Sequence, residues 1–145
     1  MQFAATDSIY LIRIEAGEQV NETLVSFCRA HDIKNGYFTG IGAVNELTCG
    51  YYELKEKKYY FTDYMEMVEV VSLTGNVTLK DGVPFIHMHG VFTDTKNQAF
   101  GGHIVEMRVG VTLEVVLTPL RAAFARVPDE CSGLSLLDLP EKGLK

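Results

Sequence analysis

Apolar residues recur at every second position in most segments of this chain, and at every third or fourth position in one. Residues 8–14 (SIYLIRI) are short, apolar and rich in β-branched side chains, which predicts a strand. Across residues 18–32, Val20, Leu24, Phe27, Cys28 and His31 fall at three- and four-residue steps, the stripe of an amphipathic helix. Asn35-Gly36 is expected to stop that helix, because both residues tolerate positive φ. His31 would lie in the last turn, where a cation suits the helix dipole. Beyond Gly36 the pattern reads as strand over residues 37–44, 49–52, 59–61, 66–79, 84–93, 102–109 and 111–118.

Several pairings can be anticipated from symmetry about turns. The charged tip at residues 53–58 has Tyr51-Tyr52 on one side and Tyr59-Tyr60 on the other, so a hairpin centred there sets tyrosine opposite tyrosine. Three lysines offset by two glutamates make the tip a solvated turn. Over residues 66–79, period-two counting puts Met67, Glu69, Val71, Leu73, Val77 and Leu79 on one face. Glu69 would then stand among five apolar side chains, where a carboxylate needs a partner or a cavity. Asp81-Gly82 marks the next turn. One helix among seven or eight strands excludes a doubly wound parallel sheet and predicts an α+β domain with a curved, mainly antiparallel sheet. Residues 1–125 form that domain, and residues 126–145 a tail that packs on its surface or on a neighbouring subunit.

Three of the four histidines fall in the segment holding His87-Met-His89 and Gly101-Gly102-His103. In a strand, His87 and His89 project from one face, about 6.5–7 Å apart. His89 and His103 are equidistant from Lys96, the middle of the polar loop at residues 94–98, so a symmetric hairpin places them directly opposite each other. Gly101 and Gly102 would let another backbone or a ligand approach closely. Three neutral imidazoles at about 2.0–2.1 Å make a facial platform for zinc or a similar divalent ion, with the fourth position open. Phe85, Val91, Val105 and Met107 are expected on the same face, keeping it apolar. Three histidines hydrogen-bonded inside an ordinary sheet satisfy the same spacing. Three imidazoles also suit zinc, nickel, iron and copper alike.

Composition narrows the function classes. The 145 residues carry 13 basic and 19 acidic side chains, a net charge of −6 that argues against general grip on a polyanion. Cys28, Cys49 and Cys131 are an odd number with no C-x-x-C, which excludes a thiolate zinc knuckle and fits free thiols in a reducing cytoplasm. Neither a signal-peptide pattern nor an apolar run long enough for a membrane span is expected. Gly40-Ile-Gly42 lacks the third glycine and following helix of a dinucleotide loop. A cupin oxygenase would carry a carboxylate where Thr93 stands.

Gly40-x-Gly42 leading to Leu47, Glu69-Val-Val-Ser-Leu-x-Gly75, His87-Met-His89, Gly101-Gly-His103 and Glu114-Val-Val-Leu117 together resemble the plants-and-prokaryotes-conserved domain over roughly residues 6 to 120. The resemblance implies an α+β fold that assembles as a homotrimer. In plants the domain follows AT-hooks that bind A·T-rich minor grooves; this chain has no R-G-R-P hook. Prokaryotic members stand alone and are similar in carrying the three histidines, here His87, His89 and His103, as a zinc site. The expectation is therefore a cytoplasmic homotrimer that binds zinc or another divalent metal. Glu69 would act beside the metal as general base or orienting partner, with Gly40 and Gly42 as a glycine-lined wall. The open position would serve a small-molecule ligand or a metal-assisted reaction. The alternative is a DNA-binding or transcription-associated interaction module.

Overall fold

The computed structural model describes residues 1–140. The chain forms β1 (Gln2–Ala5), β2 (Tyr10–Glu15), α1 (Val20–Ala30), β3 (Gly36–Glu53), β4 (Lys58–Tyr64), β5 (Val68–Lys80), β6 (Val83–Thr93), β7 (Ala99–Pro119), β8 (Arg126–Asp129) and β9 (Leu134–Leu137). Seven strands make one antiparallel sheet in the order β1-β2-β7-β6-β5-β3-β4. β3 also pairs with β7, so β3, β5, β6 and β7 close into a ring. This is the α+β, mainly antiparallel architecture expected from the single helical stripe.

α1 buries Val20, Leu24, Phe27 and Cys28 against β6 and β7. It ends earlier than Asn35-Gly36 suggested: His31 caps it and Asp32 takes the left-handed φ of 51°. Asn35 is instead buried, its carbonyl accepting from Leu120 N–H and its amide donating to Phe124 O. His31 packs with Phe27, Tyr10 and Phe3 in an aromatic cluster at the helix end.

The expected breaks at residues 45–48 and 110 do not occur. β3 and β7 are single strands of 18 and 21 residues. Their pairing slips between Gly42 and Val44, Val44 and Glu46, and Thr48 and Cys49, and such slips let a long strand bend without ending. Glycine sits where the backbones crowd: a Cβ on Gly40 would lie 2.9 Å from Glu114 O, and one on Gly42 2.8 Å from Leu113 Cα.

β5 corrects a second expectation. The register shifts between Val70 and Ser72, so residues before and after the bulge face opposite ways. Leu73 and Val77 are in the core, whereas Glu69 is exposed, and Val71 and Met67 are 53% and 44% exposed. Glu69 therefore does not share a face with Leu73 and Val77, and its nearest neighbours along the chain on its own face, Met67 and Val71, are themselves exposed. The Asp81-Gly82 turn forms as expected, both residues at positive φ (52° and 79°), the requirement of a tight hairpin turn.

Residues 126–137 form the β8–β9 hairpin. It docks on the end of β5, where Leu79 N–H donates to Phe124 O and Leu79 bridges to Ala125. At its other end, Tyr52 donates to Ser132 O and Lys57 to Glu130 O. Positions 141–145 of the expected tail lie outside the described residues.

Candidate metal centre

The β6–β7 turn sets the register on which the site depends. Asp94 Oδ1 accepts from the N–H groups of Lys96 and Gln98 at 2.8 and 2.9 Å, and Asn97 supplies a left-handed φ of 58°. The strands leaving the turn pair His89 with His103. His87 follows two residues along β6 on the same face. All three pairs of imidazole centroids are 5.2 Å apart, and one ring nitrogen from each lies within 4.8 Å of the others. Among the described residues, no other group of His, Cys, Asp or Glu side chains converges in this way.

Gly101 and Gly102 make the approach possible. A Cβ on Gly101 would run into Gly90 O, and one on Gly102 would lie 2.5 Å from Gly50 O. Their service is to another backbone, the first of the two uses expected for them. They also line a shallow recess with His89, Ser72 and Thr74. Gly50 stands opposite His103 on β3, and Tyr59 lays its ring against His103 at 5.1 Å.

The apolar surroundings differ from the expectation. The core face of β6 carries Ile86, Met88 and Phe92; the histidines are on the other face, with His87 and His103 half-buried and His89 exposed. Met107 belongs to the core, and Val91 is 44% exposed. The site is thus a rim site, open on the His89 side.

A residue that the sequence pattern did not single out completes the cluster. Arg126 of β8 donates from one terminal nitrogen to His87 Nδ1 at 3.2 Å and to Asn76 Oδ1 at 3.1 Å. Its Nε donates to Thr78 Oγ1 at 3.0 Å, its other terminal nitrogen to Ser135 O at 3.1 Å, and the guanidinium lies over Phe85. Nothing local marks residue 126; its position depends on the tail folding back across β5.

Burial, reinforced by nearby charge, favours the neutral form of His87 and His103. Burial, then the Arg126 charge, then the other two histidines push His87 down to about 4 from 6.5. Burial, then His89 and Arg126, hold His103 below the usual histidine range. Neutral imidazole is the ligating form. His103 Nδ1 is moreover buried without a hydrogen-bond partner, a vacancy that an ion or the ordering of the ring around one would relieve. The donor set therefore fits a divalent metal of the nitrogen-preferring kind.

Glu69 and the Gly40–Gly42 wall are not brought to this cluster within the chain. Glu69 pairs with Thr93, four residues along β6 from His89, and lines a separate recess with Ile41, Gly42, Thr112 and Glu114. Gly40 sits on a different, apolar trough beside Phe3 and Leu11. The physical reason is position along the strands: Glu69 pairs with Thr93, whereas the residue facing His89 is Thr74, five residues further along β5.

Comparison with known proteins agrees with this fold. The family model described as the Plants and Prokaryotes Conserved (PCC) domain matches residues 1–121. A metal-containing protein of Archaeoglobus fulgidus is 33% identical, with 93% of this chain and 95% of that one covered and a TM-score of 0.84. A plant- and prokaryote-conserved protein of Pyrococcus horikoshii is 30% identical over 97% of both chains, TM-score 0.86. A Ralstonia eutropha protein described as a "putative DNA-binding protein" is 32% identical over 95% and 96% of the two chains, TM-score 0.88. No curated protein matches. With a continuous match over most of its length and the same fold in relatives of this identity, the chain belongs to the plants-and-prokaryotes-conserved domain family.

Proposed function

We propose that this protein is a cytoplasmic homotrimer that holds one divalent ion, zinc, on each subunit through His87, His89 and His103, and binds a small molecule at the position left open. The observation that carries this reading is the triangle of imidazoles, with one nitrogen from each within 4.8 Å of the others. Three protein ligands leave a coordination position free, the hallmark of ligand-binding and catalytic rather than structural zinc. The metal-containing Archaeoglobus relative supports the assignment. When bound, the metal supplies Lewis acidity, which brings a coordinated water to a pKa of about 7. This chain's part is to orient the rings: the β6–β7 register aims two of them, and Tyr59 packs behind His103.

Trimer formation is supported by an apolar trough along β1, β2, β3 and β7, where Phe3, Leu11 and Ile41 are 49%, 54% and 57% exposed. No helix is long and apolar enough to cross a membrane. The metal reading is tested by plasma mass spectrometry on untagged protein purified without chelator. One equivalent of zinc per chain, lost in His87→Ala and His103→Ala, is the expected result; no metal, and none taken up on titration, would overturn it.

A second reading, a DNA-binding or transcription-associated module, is favoured by the description of the Ralstonia relative. With a net charge of −6, any phosphate contact would have to be local. Absence of binding to A·T-rich duplex at about 50 mM salt, where phosphate contacts are strongest, would remove its DNA-binding form.

A further inference from the structure

We propose that Arg126 and the open position of the histidine-held metal together form a binding site for a small oxyanion, a carboxylate or phosphate group that bridges the two cations. The inference rests on the metal reading above and names the ligand class of that site.

Charge carries the argument. Three neutral imidazoles leave a bound dication uncompensated, and Arg126 adds a further positive charge in hydrogen-bond contact with one of the ligands. Among the described residues, no carboxylate lies within ion-pair distance of Arg126. The groups that act electrostatically on His87 are Arg126, His103 and His89; those on His103 are His89 and Arg126; the one on Arg126 is Tyr59. None is an acid. A half-buried guanidinium beside a dication is repulsive unless an anion lies between them. Phe85 under the guanidinium and Tyr59 beside His103 exclude water from two sides, which strengthens whatever electrostatics operate there.

The hydrogen bonds show how the guanidinium becomes available. Arginine can only donate, so His87 Nδ1 accepts from it. A neutral imidazole has one lone pair, and a metal bound to His87 takes it. Metal binding therefore frees the N–H that Arg126 directs at His87. The bonds to Thr78, Asn76 and Ser135 O remain to hold the guanidinium in place. A planar donor fixed in this way by three of its five N–H groups, with the one released from His87 unspent, is preorganised for an oxyanion. Arg126 also lies beyond residue 121, where the family match ends, so this ligand class is encoded by the C-terminal hairpin.

The test uses full-length protein loaded with cobalt(II), whose visible spectrum reports the fourth ligand. Acetate and inorganic phosphate are titrated in separate arms, with neutral imidazole as control, against wild type, Arg126→Gln and Arg126→Lys. At least one oxyanion should shift the wild-type spectrum, and the tighter arm identifies the group. Arg126→Gln should bind it about ten- to a hundredfold more weakly, and Arg126→Lys should fall between, with cobalt content and imidazole affinity unchanged. Equal anion affinity in wild type and Arg126→Gln, no response to either oxyanion, or a parallel loss for neutral imidazole would overturn the inference while leaving the metal site standing. Failure of wild type to take up cobalt would overturn the metal reading and this inference with it.

Discussion

Strands β5 and β6 carry two polar clusters with opposite characters. Toward the β6–β7 side, His87 and His103 are half-buried, their rings converge with that of His89, and a cation stands behind them. Toward the far end, Glu69 and Glu114 line a shallow recess, both exposed, and join no convergent set of ligating groups. Both clusters contain chemically capable residues. What separates them is that the β6–β7 register sets two histidines face to face with glycine backbones behind them, whereas Glu69 stands opposite Thr93, which offers no imidazole or carboxylate. A solvated carboxylate needs no partner and holds none; a desolvated imidazole has its proton stripped and its lone pair aimed.

The largest expected difference between the clusters is in metal affinity. His89→Ala should lose metal by about a hundredfold or more, beyond the 10–100-fold typical of removing an outer partner of a ligand. Glu69→Gln should bind as wild type, both read as metal per chain after equilibrium dialysis. A Glu69→Gln loss comparable to His89→Ala would mean that Glu69 reaches the site from a neighbouring subunit.

The bulge itself can be tested within β5. Leu73→Ala removes a fully buried side chain and should cost about 2–5 kcal/mol, whereas Val71→Ala, on the exposed face, should stay within about 0.5 kcal/mol. Urea unfolding measures both. A large cost at Val71 would show that its face is covered in the assembly.

Acid should reveal the smaller effect. In metal-free protein the folded pKa of His87 lies at about 4, below the 6.5 of an unburied ring. Protons then bind the unfolded chain first, so the neutral-ring stability is fully present above pH 6.5 and is lost as pH falls through 4. The urea midpoint of chelator-treated protein should decline over that window, and His87→Asn should flatten the decline. An identical slope in the variant would place the histidine cluster in water, like the glutamate recess.

Local signals recovered much of this architecture. The helical stripe from Val20 to His31, the tyrosine pairs at the β3–β4 tip and the opposition of His89 and His103 appear in the structure as anticipated. Each rests on a period or a turn only a few residues long. The expectation for Glu69 failed because period-two counting assumes an unbroken pleat, and one extra residue between Val70 and Ser72 reverses every side chain on one side of it. The uninterrupted lengths of β3 and β7 escaped for a related reason, since bulges bend a strand where the sequence pattern suggests it ends.

By itself, the sequence determined the fold class, the hairpin register and the three converging histidines, because hydrophobic period, turn chemistry and strand geometry act between near neighbours. Only the tertiary structure decided that Glu69 faces solvent, that the glycines serve crossing backbones, and that Arg126 arrives beside His87 from a hairpin 39 residues further along the chain. Those outcomes depend on which strands cross and where a tail docks. Such long-range contacts are selected by the burial of the whole core and carry no mark at the residues they bring together.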